Sequence, residues 1–299
     1  MSPLYWSNEG IKTYLTLIRA PGVFSVFSNV LASFFIYQHL LQSGVLLLPD
    51  LALLLFISLC CYQFGMITND IVDVEEDGIE RPFRPLPSGK FPLKVALIIS
   101  VLLAIIALST ALYYSLTLLV STVLLVLMIL SYNFMTKKTP AGIYNMGAVR
   151  LLNWLLVIGL GAHFELSLVL IASIVMCYTT IVTRISQDET EPFSNKLKPY
   201  LLTLILLPVA LIIYLTYQHI FTVVGGILLI TFFIWLAQQV YYFQQTQVND
   251  VQHWVTNLLK AMVILDGLLL IAINQWLLGV VCLSFLFFSG KLAKIIYMT

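Results

Sequence analysis

Charged side chains are scarce in this chain, and that scarcity excludes the commonest class of protein. Only 10% of the 299 residues are Asp, Glu, Lys or Arg, whereas a soluble globular domain carries about a quarter. Hydrophobic residues make up 60%. We therefore expect an integral membrane protein. The net charge of +1 gives no support to nucleic-acid binding, and we expect no nucleic-acid partner.

Cysteine and histidine are also few, with four of each. The cysteines lie inside apolar runs and lack the spacing of a disulfide framework or a metal site, so we interpret them as small apolar filler. The histidines do not pair at ligand spacing, which argues against a zinc or haem site.

Long apolar runs occupy most of the chain, and a membrane helix needs roughly 20 such residues. Ten runs meet or approach this length, at residues 14–37, 46–68, 92–112, 115–133, 142–161, 165–184, 199–217, 219–241, 254–273 and 275–295. We predict an all-α fold: a polytopic bundle of nine or ten transmembrane helices around a central apolar cavity, with a polar cytoplasmic cap, in a single domain over residues 1–299. The first run lacks a small-residue cleavage site and further spans follow it, so no removed signal peptide is expected.

Most basic residues fall on one side of the membrane if these helices alternate in direction. The opposite connections, 38–49, 113–117, 161–167 and 217–221, contain no Lys or Arg. Because basic residues concentrate in cytoplasmic loops, the basic side is assigned to the cytoplasm of a bacterial-type plasma membrane, and ten crossings are favoured over nine. The long polar connections 69–91, 185–198 and 242–253 lie on this side, so we expect the chemistry there.

Six of the 14 acidic residues lie in one short segment, between Asn69 and Lys90. If the second helix continues through this segment, Asp70, Asp73 and Asp77 recur at spacings of three and four on one face. Carboxylates on one face repel each other unless a cation lies between them. Their hard oxygen atoms suit Mg²⁺, which commonly takes one or two protein carboxylates together with substrate phosphates. We therefore predict that the three aspartates are catalytic magnesium ligands, with Asn69 as a further oxygen ligand.

The sequence RPFRPLPSGK follows the acids directly. Its prolines stiffen a loop that carries Arg81, Arg84 and Lys90. Guanidinium groups bind phosphate oxygens in a forked geometry, so acids followed by a rigid basic loop predict a magnesium-bridged diphosphate site. An ordinary salt-bridged, solvated loop is the alternative. A calcium loop fits less well, because the glycine and closing glutamate of an EF-hand are out of register.

The pattern N-D-x-x-D-x-x-x-D followed by R-P-x-R-P-L-P-S-G resembles the first signature of the UbiA superfamily of intramembrane prenyltransferases. Ser131–Asn133 with Lys137 is similar to the family's segment after helix four, which implies that Tyr132 and Lys137 contact diphosphate. Membrane anchoring by the lysines is the alternative. Residues 146–153 and 183–189 also resemble the EboC-like branch of the superfamily.

The family's second acidic signature, D-x-x-x-D, is altered here to SQDETEPFSNKLK. Asp188 and Glu191 are three residues apart and still share a helical face, so we predict that they bind metal, with Lys196 contacting phosphate. An ordinary polar loop is the alternative. If the second metal is lost, bases must balance more of the substrate's charge.

Several polar residues lie inside predicted spans. Arg150 in helix five is expected to face the bundle interior, because a charge facing lipid is costly. Asn153 shares that face, and we predict that both residues contact substrate. The alternative for Arg150 is an internal pair with Asp266, which is itself a candidate proton acceptor. Asn29 in the first helix is predicted to line the cavity near the diphosphate, or else to pack helices.

These features together predict a Mg²⁺-dependent intramembrane prenyltransferase. It would ionise an isoprenoid diphosphate and transfer the prenyl group to a lipophilic acceptor within the lipid bilayer. One alternative is a membrane terpene cyclase of the same superfamily, in which a double bond of the substrate captures the allylic cation. The other is a non-catalytic lipid carrier or transporter with a retained diphosphate pocket.

Overall fold

The computed structural model describes residues 8–41, 46–161, 163–187, 199–245 and 251–297, and within these ranges it contains helices and no strands. The helices are α1 (Asn8–Leu17), α2 (Val23–Leu41), α3 (Leu48–Val72), α4 (Val74–Glu80), α5 (Leu93–Tyr114), α6 (Leu116–Ser131), α7 (Gly142–Leu155), α8 (Ile158–Gly161), α9 (Leu166–Gln187), α10 (Pro199–Tyr217), α11 (Val223–Gln245), α12 (Val251–Ala272) and α13 (Trp276–Tyr297). A 3-10 turn, Ala20–Gly22, precedes α2, and a π-helix, Tyr132–Thr136, follows α6.

Nine stretches of the described chain are long and apolar enough to cross a membrane. The predicted all-helical bundle is therefore confirmed, and most boundaries agree closely: the span predicted at 142–161 is observed as Gly142–Gly161. The seventh predicted span corresponds to a shorter apolar helix, Leu201–Tyr217. Agreement follows because bilayer thickness limits both the length and the polarity of a spanning helix.

The N-terminal end differs from the single span predicted over residues 14–37. The chain forms α1, turns at Arg19 and begins its first spanning stretch at Ala20. Arg19 has left-handed backbone angles, φ 48° and ψ 56°, which interrupt a right-handed helix. Pro21 follows in the first turn of the next helix, where a missing N–H breaks no intrahelical hydrogen bond. The turn brings the Arg19 side chain to Asp70, 51 residues away.

The bundle interior is formed mainly by α9, α12 and α2. In α9, 67% of the spanning window is buried, against 17% in α13, which is peripheral. Close packing drives helix association in a bilayer, where the lipid is as apolar as the side chains. At the α7–α9 contact, a Cβ on Gly147 would lie 3.0 Å from the carbonyl oxygen of Met176 and would meet the Thr180 hydroxyl. Glycine therefore sets how closely α7 approaches α9.

Candidate active site

A cavity of about 350 Å³ lies between α3, α6 and α7. Its apolar wall includes Val26, Leu125 and Val149, and its polar lining includes both acids and bases. The predicted site residues that line it are Asn69, Asp73, Arg81, Arg84, Tyr132, Lys137, Arg150 and Asn153. The structure therefore brings together residues from α3, the loop after α4, the π-helix and α7 around one space.

The acidic segment is buried at the junction of α3 and α4. Asp70, Asp73 and Asp77 are only 5%, 7% and 2% exposed. The helix does not continue unbroken as predicted, since α3 ends at Val72 and Asp73 occupies the joint before α4. The break is slight, because the backbone hydrogen bond from Asp77 N to Asp73 O is retained at 2.8 Å. Of the three aspartates, Asp73 lines the cavity.

The amide of Asn69 connects two of these carboxylates to Lys137. Its Nδ2 lies 3.4 Å from Asp70 Oδ1 and 3.3 Å from Asp73 Oδ2, while its Oδ1 accepts a hydrogen bond from Lys137 Nζ at 2.8 Å. Lys137 Nζ also donates to Asp73 Oδ2. The fold therefore brings Asn69, Asp73 and Lys137 into direct contact.

Arginines hold the other two carboxylates. Arg84 Nη1 donates to Asp77 Oδ2 at 2.5 Å and lies 3.9 Å from Asp70 Oδ1, so one guanidinium joins both acids. Arg19 Nη2 donates to Asp70 at 3.0 Å. Arg81 pairs more loosely with Asp77, at 3.8 Å. Each aspartate thus has a basic partner, which relieves the repulsion expected among three carboxylates.

The described residues contain no group of three or more His, Cys, Asp or Glu side chains placed to share a metal ion. The three aspartates instead contact bases: Asp70 pairs with Arg19, Asp73 with Lys137 and Asp77 with Arg84, and Arg84 also lies 3.9 Å from Asp70. The donor set at the cavity nevertheless fits Mg²⁺, since Asn69 and Asp73 present hard oxygen atoms beside space for phosphate oxygens, which usually complete the shell.

The proline loop brings its two arginines inward and turns its lysine outward. Pro85 and Leu86 are buried, and the chain then reverses at Gly89, whose φ is +72°. Lys90 follows this turn and is exposed, and it does not line the cavity. The structure therefore does not support the predicted substrate contact of Lys90, because the glycine turn directs it to the surface.

Lys138 differs from its neighbour Lys137 in lying outside the cavity. It donates a hydrogen bond to Glu76, which lowers the pKa of Glu76 and raises the pKa of Lys138. The side chains of Lys138 and Glu76 are 72% and 44% exposed, so water screens their pair. Lys138 is therefore a matched control for Lys137.

Deeper in the bundle, two polar contacts cross between helices. Ser58 Oγ on α3 donates to Asn153 Oδ1 on α7 at 2.5 Å, and both residues line the cavity. Arg150 Nη1 donates to Asn29 Oδ1 at 2.8 Å, and Asn29 Nδ2 donates to Asp266 Oδ2 at 2.7 Å. The alternative pairing of Arg150 with Asp266 thus occurs through Asn29.

Asn29 is not in the predicted position near the diphosphate. It is fully buried between Arg150 and Asp266 and does not line the cavity. The α2 helix packs against α12 here. The buried Asn29 amide is satisfied because it accepts a hydrogen bond from Arg150 and donates one to Asp266.

Sequence reasoning missed several lining residues, among them Arg19, Ser58 and Ser186. No spacing rule marks them, since they come from separate elements. The positive φ of Arg19 is visible only in the structure. The predicted ligands Asp188 and Glu191, and the predicted phosphate contact Lys196, lie outside the described residues.

Solved structures with the same helical arrangement include digeranylgeranylglyceryl phosphate synthase, which is 22% identical with a TM-score of 0.61 over 92% of this chain and 99% of that chain. A UbiA homolog from Archaeoglobus fulgidus bound to GPP and Mg²⁺ is 15% identical, with a TM-score of 0.59 over 91% and 99% of the two chains. An apo UbiA homolog from Aeropyrum pernix has 19% identity and a TM-score of 0.57 over 81% and 97%. These likenesses show the fold.

Curated relatives match over a shorter segment. Digeranylgeranylglyceryl phosphate synthase of Methanocaldococcus jannaschii is 33% identical over 105 residues, 35% of this chain and 36% of the relative. The enzyme of the same name from Methanococcus aeolicus is 40% identical over 103 residues, 33% of this chain and 34% of the relative. The match thus spans about a third of the length of these relatives.

The sequence pattern of the UbiA prenyltransferase family matches residues 26–191. This range contains the acidic segment, the proline loop, Tyr132, Lys137 and Arg150. The narrower assignment to the EboC-like branch is not tested by these similarities and stays a prediction. Because the family match covers more than half of the 299 residues, the chain belongs to the UbiA prenyltransferase family.

Proposed function

We propose that this protein is a Mg²⁺-dependent intramembrane prenyltransferase, which ionises an isoprenoid diphosphate and transfers its prenyl group to a lipophilic acceptor. The observation that carries the proposal is the continuity of one cavity. Asp73 and Lys137 line it together with apolar residues such as Val26 and Leu125. A diphosphate head and a hydrocarbon tail require such a combination of surfaces.

Asn69 and Asp73 would hold Mg²⁺ together with phosphate oxygens of the substrate. Asp70 and Asp77 are the neighbouring carboxylates, and each is held by an arginine. Bound Mg²⁺ supplies positive charge that stabilises a departing diphosphate. Asp188 and Glu191 remain proposed ligands of a second ion.

The basic residues of the cavity would bind the remaining phosphate oxygens. Arg19, Arg81, Arg84 and Lys137 now contact carboxylates. A diphosphate offers them more negative charge at the same place, so we propose that they exchange partners when it binds. Once they face the diphosphate, these positive groups would stabilise the negative charge that grows on the leaving oxygen.

In the proposed reaction, the bond between the allylic carbon and the diphosphate oxygen breaks, and its electron pair leaves with the diphosphate. A lone pair or double bond of the acceptor then forms the new bond to that carbon, and the acceptor loses a proton. The apolar wall excludes water, which would otherwise capture the cation.

The chain is a multi-pass membrane protein with nine helices in its described part that are long enough to span. We propose that its active site faces the cytoplasm, on the basis of the Lys and Arg asymmetry. The bacterial-type membrane stays a prediction, since the relatives described above are archaeal. Their names suggest a glyceryl phosphate lipid as one acceptor to test.

The test is incubation of the purified protein with geranyl, farnesyl or geranylgeranyl diphosphate, with Mg²⁺ or EDTA, and with or without geranylgeranylglyceryl phosphate. Diphosphate release and lipid mass are measured. We expect release that requires Mg²⁺ and falls by about 100-fold or more in Asp73→Asn, the scale seen when one preorganised electrostatic group is removed. Asp50→Asn, at the far end of α3, is the matched control.

Three outcomes would contradict the proposal in different ways. A cyclic product formed without acceptor would assign a terpene cyclase. Binding of prenyl diphosphate without diphosphate release would assign a carrier. Release that is unaffected by EDTA and by Asp73→Asn would place the chemistry elsewhere.

A further inference from the structure

The cavity is elongated along one face of α3. Its lining residues on this helix and at its end include Ser58, Cys61, Gly65, Asn69 and Asp73. They recur at spacings of three and four, so they lie on the same side of the helix over about four turns. The cavity is therefore a channel that begins at the proposed diphosphate contacts and runs into the bundle.

The channel ends at a hydrogen bond between two helices. Ser58 Oγ on α3 donates to Asn153 Oδ1 on α7 at 2.5 Å, and both residues line the cavity. About one turn beyond them, Leu54 and Val157 are 1% and 0% exposed and do not line it. Packed side chains therefore close the channel behind Ser58 and Asn153, which we name the channel floor.

The channel floor is polar as well as closed. The Nδ2 atom of Asn153 is buried and has no partner among the described residues. Arg150, one turn earlier on α7, also lines the cavity, and its Nη1 donates to Asn29. A hydrocarbon pressed against these groups would exclude water from them and would offer no acceptor, which costs free energy. A prenyl tail is therefore expected to stop short of the floor.

The depth of the channel sets how much tail it can hold. Ser58 precedes Asn69 by 11 residues on α3, which is about 16 Å at the rise of an α-helix. An extended carbon chain with bonds of about 1.5 Å advances about 5 Å over the four bonds of one isoprene unit. About three isoprene units therefore fit between the diphosphate contacts and the floor.

Resting on the proposed function, we propose that the channel floor limits the length of the prenyl donor. The protein then accepts geranyl and farnesyl diphosphates and discriminates against geranylgeranyl diphosphate and longer donors. Ser58 and Asn153 are specificity-determining residues, since they meet the end of the tail that is farthest from the diphosphate. The acceptor is left to reach the reacting carbon at the other end of the channel.

The experiment measures binding of three unreactive analogues, the geranyl, farnesyl and geranylgeranyl thiolodiphosphates, to the protein in nanodiscs with Mg²⁺. A longer tail gains little by entering the channel, because it leaves a bilayer that is equally apolar. The geranyl and farnesyl analogues should therefore bind within about threefold of each other. The geranylgeranyl analogue should bind about tenfold more weakly or worse, the scale of one buried polar group left unsatisfied.

Two variants move the limit in opposite directions. Ser58→Ala/Asn153→Ala removes both hydrogen-bonding partners together, and the geranylgeranyl analogue should then bind about as tightly as the farnesyl analogue. Cys61→Leu adds bulk one turn nearer the diphosphate, about 4.5 Å or one isoprene unit, so the farnesyl analogue should weaken about tenfold relative to the geranyl analogue. The ratio of dissociation constants is taken within each variant, so a loss of folded protein does not affect it.

Thr122→Val is the control, since Thr122 is fully buried in α6 but does not line the cavity. Both ratios should equal those of the wild type in this variant. A change as large as in the floor variants would show that the ratios report general loosening of the bundle, and would contradict the inference.

Other results would also overturn it. Equal binding of the geranylgeranyl and farnesyl analogues to the wild type would show that the tail leaves the channel before the floor. A weak geranylgeranyl analogue whose ratio is unchanged in Ser58→Ala/Asn153→Ala would place the limit elsewhere. Both results leave the proposed function standing. Failure of all three analogues to bind would instead contradict the proposed function, and the length limit with it.

Discussion

Replacing Lys137 by methionine tests whether Asp73 binds magnesium. Lys137 Nζ donates to Asn69 Oδ1 at 2.8 Å and to Asp73 Oδ2. These are the two oxygen atoms that we assign to Mg²⁺. The lysine and the ion therefore compete for the same atoms, and Lys137→Met is expected to bind Mg²⁺ more tightly while it turns over prenyl diphosphate more slowly.

The magnitude follows from the hydrogen bonds that the ion must displace. A hydrogen bond to a charged group contributes about 1.5–3 kcal/mol, and about 1.4 kcal/mol corresponds to a factor of ten in affinity. The side chains of Lys137 and Asp73, taken without their backbone atoms, are 25% and 9% exposed, so solvent screening places the effect toward the lower end of this range. We expect Mg²⁺ affinity to rise by about tenfold in the absence of diphosphate.

The assay is calorimetric titration of Mg²⁺ into purified protein, with the Mg²⁺-dependent shift in Tm as a second readout. Lys138→Met is the control, because the neighbouring lysine pairs with Glu76 on the surface. Its Mg²⁺ affinity should stay within about twofold of the wild type, the scale of an exposed ion pair. An affinity that is unchanged or lower in Lys137→Met than in Lys138→Met would refute the assignment of Asp73 as a magnesium ligand.

Three further predictions concern single side chains. Arg19→Asn places a residue that tolerates left-handed backbone angles at this turn, so its Tm should change little while prenyl diphosphate binding weakens. Arg19→Val should weaken binding and also lower the free energy of unfolding by about 1–2 kcal/mol. Equal Tm values for the two variants would contradict this. Gly147→Ala should destabilise the bundle by about 1–3 kcal/mol in thermal unfolding, while Gly78→Ala, with nothing within 4 Å of the added Cβ, should not. Glu76 has a lowered pKa, so its pairing with Lys138 stabilises the fold at pH above the ordinary pKa of the carboxyl, and this stabilisation is lost as pH falls through the lowered pKa. The small Tm difference between the wild type and Glu76→Gln should therefore vanish in acid. A Tm difference that grows in acid would contradict this prediction.

The helices were predictable because each is a local property of the sequence. Bilayer thickness fixes the length of an apolar run, and α5 begins and ends within two residues of the prediction. The N-terminal turn was not predictable in the same way. An apolar run continues on both sides of Arg19, and only contacts made after folding, to Asp70 and from Tyr62 to the Arg19 carbonyl, hold its backbone in a left-handed conformation.

In the candidate site, too, local features were predictable from the sequence and long-range contacts were not. Helical periodicity placed Asp70, Asp73 and Asp77 close together, because spacings of three and four return to one side of a helix. Periodicity does not say which base each acid meets. Arg84 joins Asp70 to Asp77 because a proline loop folds back, and Lys90 in the same loop faces outward after a glycine turn.

The sequence by itself determined that this protein is a helical membrane bundle with an acidic segment followed by a basic loop, since hydrophobicity and helical spacing act between near neighbours. Only the tertiary structure decided that Ser28 and Asn29 meet Asp266 across more than 230 residues, and that Ser58 meets Asn153 across 95. Such contacts depend on how whole helices pack and rotate against one another, and a buried polar side chain is compatible with several partners until packing brings one of them within hydrogen-bonding distance.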